Sequence, residues 1–214
     1  MTEPNNERRY YEHLVDIMLT TRGIRFSVAE REKRKEKFSI GVIAVLSIYL
    51  AGWSLAASLF PDALTETQAR ALSFISVVAS VSLLVISLFD FAASRSVYAE
   101  KMLQNAFSIA EILREAEREL AKGDPDYARL SILASTYEAK VSGVGVNHTS
   151  KDYKLWKLQR RSPSGWLEAS QVWVTSKILS CLAFTSAMFF QIAIVVLIVA
   201  STCCILAVNL VGSG

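Results

Sequence analysis

The chain has 214 residues, 52% of them hydrophobic, with 23 basic and 20 acidic side chains and a net charge of +3. That length allows one modest domain plus membrane segments, and the near-balanced charge argues against a dedicated nucleic-acid binder, which carries a clear basic excess. The apolar residues are gathered into long uncharged runs instead of being spread through amphipathic elements, which excludes an ordinary soluble domain and points to membrane-spanning helices.

Residues 1–9 are polar and charged, with no apolar core at the distance a secretory signal needs, so no cleaved signal is expected. Residues 1–37 read as a basic cytoplasmic pre-helix ending in Arg31, Lys33, Arg34, Lys35 and Lys37, side chains suited to anionic lipid. Residues 38–60 carry no charge, and as a helix they rise about 34 Å, enough for a hydrocarbon core of roughly 30 Å. Pro61 stops that helix, because it lacks a donor and clashes with the preceding turn. After a short polar connection, residues 71–89 form a second uncharged run that ends at Asp90. Residues 38–90 therefore predict a tight transmembrane hairpin. Its loop holds only Arg70, beside Asp62 and Glu66, whereas the basic cluster precedes it and Arg95 and Lys101 follow. The positive-inside rule then places both ends of the hairpin in the cytoplasm.

Small residues recur along one face of each span. Ser47, Ser54 and Ser58, with Ala44 and Ala51, share a face of the first; Ser73, Ser76, Ser80 and Ser87 share a face of the second. Such faces let transmembrane helices approach closely, and they also suit a mildly polar wall around a water-filled pore.

Residues 91–165 predict a polar, cytoplasmic helical region. Ala99, Met102, Ala106, Ile109, Leu113, Ala116 and Leu120 recur at spacings of three and four, a heptad seam of coiled-coil type. This helix is expected to continue unbroken out of the second span. Gly123, Asp124 and Pro125 end it, and Tyr127, Leu130, Ala134, Tyr137 and Val141 form a second seam. The two helices read as an antiparallel pair. Neither can hide its stripe alone, so they pack on each other or on neighbouring subunits, which makes the first seam a candidate homo-oligomer contact. Beyond Gly143, the basic residues Lys154, Lys157, Arg160 and Arg161 with Trp156 interleaved read as a helix at the membrane surface.

Residues 166–214 combine an interfacial segment with a third apolar helix. Trp166 and Trp173 suit the interface, and Lys177 can snorkel to it. From residue 178 onward there is no charged side chain. A single span over residues 178–199 is the preferred reading, with a re-entrant segment as the alternative. The cysteines, Cys181, Cys203 and Cys204, all lie in this run, in neither a disulfide nor a zinc spacing. The sum is an all-α membrane protein.

No motif for catalysis stands out. The chain has no Walker-type or GxGxxG loop, and its two histidines, His13 and His148, belong to no metal-ligand spacing. His148 and Asp152 lie four apart, without a nucleophile to complete a catalytic set. Asn147-His148-Thr149 is a formal glycosylation sequon, discounted by the cytoplasmic placement. Neither enzymatic activity nor a cofactor nor a metal is expected, and direct nucleic-acid binding is not expected either.

The order of parts, a basic pre-helix, a tight two-span hairpin, a helix leaving the membrane and then Tyr137, Asn147, His148, Asp152 and Tyr153, resembles the SLATT family over roughly residues 22–161. These are two-span effector domains of bacterial conflict systems. The resemblance implies a multi-pass protein of the bacterial inner membrane, an antiphage effector of abortive-infection type. It implies a soluble signalling partner: a nucleotide-messenger synthase, a SLOG sensor or a reverse transcriptase. It also implies action by oligomerising and perturbing or perforating the membrane, against the alternative of a non-lytic adaptor that recruits a soluble partner. The five motif residues are expected to lock the cytoplasmic helices to the pre-membrane helix, or to sense the signal directly. The third apolar run lies beyond the two-span pattern.

Overall fold

The computed structural model describes residues 3–60, 64–143, 150–160 and 166–212. Six helices account for them: α1 (Glu3–Leu59), α2 (Glu66–Ala93), α3 (Arg95–Leu120), α4 (Tyr127–Ser142), α5 (Ser150–Arg160) and α6 (Trp166–Gly212). Three are long and apolar enough to cross a membrane, so the chain is an all-α membrane protein.

Local chemistry sets the helix ends. α1 admits Pro4 in its first turn, where a missing donor costs nothing, and ends just ahead of Pro61. Thr65 caps α2 with a reciprocal capping box: its hydroxyl accepts from the Gln68 amide, and the Gln68 side chain accepts from the Thr65 amide. Asp126 caps α4 by accepting from the Arg129 amide at 3.1 Å. Between α3 and α4, the Glu119 carboxylate accepts from Lys122 at 2.9 and 2.7 Å and from the Asp126 amide at 3.0 Å. These bonds hold the Glu119 carboxyl below its ordinary range, the Lys122 hydrogen bond having the largest effect.

The helix expected to run unbroken out of the second span is interrupted. Ser94 adopts the left-handed conformation, with φ 45°, and its amide donates to Phe91 O at 3.1 Å. One residue thus ends α2, and α3 begins at Arg95.

Two compact units result, and each draws on two stretches of the chain. One comprises Met1–Lys33 and Ser96–Ser180, the other Arg34–Arg95 and Cys181–Gly214. They cut across the sequence segments 1–37, 38–90, 91–165 and 166–214, because α1 and α6 each contribute to both.

The core of the first unit is built by α1, α3 and α4. Met18 joins Ile109, Leu113, Ala116 and Leu120 from α3 and Leu130, Leu133 and Tyr137 from α4, with Leu14, Val15 and Leu19 packed around them. A second cluster gathers Ile24, Val28 and Ala29 with Met102. All seven seam residues of α3, Ala99 to Leu120, are buried inside the single chain. The stripe that α3 and α4 cannot hide alone is covered by α1. The contact open between helix partners and neighbouring subunits is thereby made within the chain.

The second unit packs α1, α2 and α6 around Leu46, Ala79, Ile86 and Ile198. Most of its large apolar side chains face outward, including Ile48, Phe74, Leu84, Phe89 and Leu197, as lipid-facing positions do. Polar cross-links fix its register. Ser39 accepts from Gln191 at 2.8 Å, and the Tyr49 hydroxyl meets Thr202. The Thr202 hydroxyl already donates to Ile198 O, so Tyr49 is the donor. Residue numbers rise together along these two pairs, so α1 and α6 run parallel. Gln68 donates to Ile205 O at 3.2 Å, while Phe89 meets Phe190 edge-on, so α2 runs antiparallel to α6. α6 is one uninterrupted helix, without the turn a re-entrant segment needs.

Candidate functional site

In the second unit a groove of about 570 Å³ opens between α1 and α2, lined by Ala51, Trp53 and Ser54 on one side and Ser73, Ser76 and Ser80 on the other. The alanine and serines among these positions leave space that larger side chains would fill. Four of the seven serines singled out by sequence therefore share one surface; Ser47, Ser58 and Ser87 are not among the groove residues. Ser80 donates back to Ser76 O at 2.8 Å, Ser87 to Leu83 O at 2.9 Å and Ser47 to Ile43 O at 2.8 Å. That is how a hydroxyl is satisfied in hydrocarbon without a partner helix. The oxygen lone pairs remain, so the wall is mildly polar and uncharged. At another level of the same unit, Asp90 and Arg95 pair at 3.5 Å, and Arg95 also reaches the Met188 sulfur.

The first unit holds three of the five motif residues, and two of them contact α1 directly, at separate levels. The Tyr137 hydroxyl lies 3.0 Å from Thr21 Oγ1 in a buried setting; Thr21 donates to Ile17 O, so Tyr137 donates to Thr21. Asp152, 9% exposed, pairs with Arg31 at 2.5 Å. Tyr153 is partly exposed, tilted against Trp156, with the Lys157 ammonium 5.9 Å from its ring. Asn147 and His148 lie outside the described residues.

Trp156 itself packs on α1. A Cβ placed on Gly23 would sit 2.4 Å from the Trp156 indole nitrogen, so only glycine admits the ring there. Leu155 is buried beside it. The α5 segment expected at the membrane surface thus spends its tryptophan and its Asp152 on α1. The basic cluster is divided as well: Arg31 holds Asp152, Lys33 lies 3.7 Å from Glu100, Arg34 and Lys35 have partners of their own, and Lys37 is exposed.

Sequence reasoning passed over the most buried charge among the described residues. Arg25, only 2% exposed, donates to the Asn105 side chain and to Val141 O at 3.3 Å, while Asn105 donates to Lys140 O at 2.7 Å. The two side chains cap the last carbonyls of α4 and complement the negative end of that helix. Burial lowers the Arg25 pKa, opposed by the electrostatic influence of Tyr137 and Tyr98. The signal was in the spacing. Arg25 falls between Thr21 and Val28 on the inward face of α1, and Asn105 sits within the Met102–Ile109 seam.

A membrane unit of three cross-linked helices, joined through α1 and α6 to a polar helical unit with no strand among the described residues, defines an all-α membrane protein. The chain matches the model of the SMODS and SLOG-associating 2TM effector domain family 5 over residues 7–212, and it belongs to that family. No curated protein and no solved structure matches it. The matched region runs through α6, so the third apolar helix lies within the family domain.

Proposed function

We infer that the protein is a membrane effector of a bacterial antiphage system, acting physically on the inner membrane instead of catalysing a reaction. In the resting state the helices are sealed. On a signal from a soluble partner or a nucleotide, several copies assemble and open a path for water and ions. The observation that carries this reading is the serine groove of α1 and α2. It is a mildly polar surface on a unit otherwise coated with large apolar side chains. One copy encloses no lumen, so the path requires an oligomer with serine-bearing faces turned inward. The family description, an effector domain associating with SMODS and SLOG, supports a partner in the same system. The N-terminus and the polar helical region are cytoplasmic in this reading, from the charge asymmetry around the hairpin.

Induced expression with a membrane-potential dye tests it. Loss of potential that requires the partner and precedes loss of viability is expected. An intact potential in cells that nonetheless stop growing would replace the pore with a non-lytic adaptor.

A further inference from the structure

A second groove, about 400 Å³, lies in the membrane unit between α1 and α6. Phe38, Gly41, Val42 and Val45 form one wall, and Ile192 and Val195 face them. None of its described lining residues is charged. Gly41 creates the space, because a Cβ placed there meets nothing within 4 Å. The lining positions of α1 continue a helical stripe that begins in charge: Arg34, Lys37, Phe38, Gly41, Val42 and Val45 follow at intervals of three, one, three, one and three. Arg34 and Lys37 are exposed, and Glu36 points about 100° away around the helix from Lys37. Cation and apolar slot therefore share one face, in the order in which a lipid presents its phosphate and its chain.

We propose that this face binds one anionic glycerophospholipid, its phosphate on Lys37 and one acyl chain in the groove beside Gly41. Charge complementarity selects the headgroup. The slot is near the small end of the range for ligand sites, which limits it to a single chain. Lys37 extends its apolar stem along the helix and delivers its ammonium to the headgroup level. The site does not depend on pore formation, since it involves neither the serine groove nor an oligomer.

Native mass spectrometry of the full chain, titrated with phosphatidylglycerol and with phosphatidylcholine of the same chains, tests the proposal. Wild type is expected to retain one phosphatidylglycerol in preference to phosphatidylcholine. Lys37→Gln should cut that preference about fivefold, the effect of one basic side chain at an anionic surface. Gly41→Leu should abolish retention of either lipid while leaving helix content and melting temperature intact. Glycerol 3-phosphate, the headgroup without the chains, should not bind. Equal retention of the two lipids, full retention by Gly41→Leu, or glycerol 3-phosphate binding as tightly as the lipid would each overturn the site.

Discussion

Tyr137 on α4 donates its hydroxyl to Thr21 on α1, at 3.0 Å and with both groups buried. The bond joins a motif residue to the helix that carries on into the membrane unit. Tyr137→Phe removes only the donor to the Thr21 hydroxyl, which still donates to Ile17 O, so the loss should be about 1 kcal/mol. Thr21→Val leaves the buried phenol without an acceptor and should cost more, on the order of 2 kcal/mol. The double variant should recover part of that loss. Denaturant midpoints in detergent measure all three, and strict additivity would remove the hydroxyl pair from the account of this core.

Gly23 and Gly52 both lie inside α1, and they predict opposite outcomes for the same substitution. Gly52→Ala adds a Cβ that meets nothing within 4 Å, so the gain in helix propensity, about 1 kcal/mol, should appear as a higher melting temperature. At Gly23 the new Cβ runs into the Trp156 indole. Overpacking of this kind costs about 1–3 kcal/mol and offsets the propensity gain. Gly23→Ala should also expose the segment around Trp156 to protease. If the two alanine variants melt alike and are cleaved alike, α5 does not dock on α1 in this way.

Acid should loosen the turn between α3 and α4. The Glu119 carboxyl titrates below its ordinary range because Lys122 and the Asp126 amide bond to its charged form. A depressed carboxyl pKa adds stability that is present above the unfolded value and is lost as pH falls through the folded one. Wild type should therefore be more stable than Glu119→Gln at neutral pH. The gap should close as pH drops through the lower end of the carboxylate range. A gap that is constant with pH would mean that Glu119 contributes packing and not charge.

The parallel run of α1 and α6 has a topological consequence. With the N-terminus cytoplasmic, a third crossing parallel to the first delivers the C-terminus to the outer side. Alkaline phosphatase fused after residue 214 should be active, and the same enzyme inserted at Asp124 should be inactive. The reverse pattern would invert the whole membrane arrangement, and activity at neither place would remove α6 as a crossing.

What the sequence revealed followed from how regular its signals were. Uncharged runs located the spans, and spacing by three and four located the buried face of α3, since burial in an amphipathic helix is written in its period. Ser94 broke a helix with no glycine or proline to announce it, because a left-handed residue is costly and is normally given to glycine. The partner of the α3 seam was equally hidden. An apolar stripe states that it must be covered, not by what, and α1 reads as a charged segment until Met18, Ile24 and Val28 are seen to face inward together. Of the motif, Tyr137 and Asp152 bond to Thr21 and Arg31 of α1, but Gly23 and Arg25, which pack nearby on the same helix, lie far away in the sequence.

The pore reading stands or falls on Ser76 and Ser80. Both line the groove, and the Ser80 hydroxyl donates to Ser76 O within α2, so Ser80 spends this bond on no other helix. Ser76→Leu with Ser80→Leu would make that wall apolar and fill much of the space, while raising the hydropathy of the span, so membrane insertion should be unaffected. A pore lined by this face should then lose most of its conductance by narrowing and dewetting. With no ionised side chain on the wall, the wild-type path should discriminate weakly between cations and anions, giving a reversal potential near zero in a salt gradient. Planar-bilayer current from purified, partner-activated protein reads both quantities. Undiminished current in the double variant would move the pore to another face of the unit, and strong charge selectivity in the wild type would place an ionised residue, not these serines, at its narrowest point.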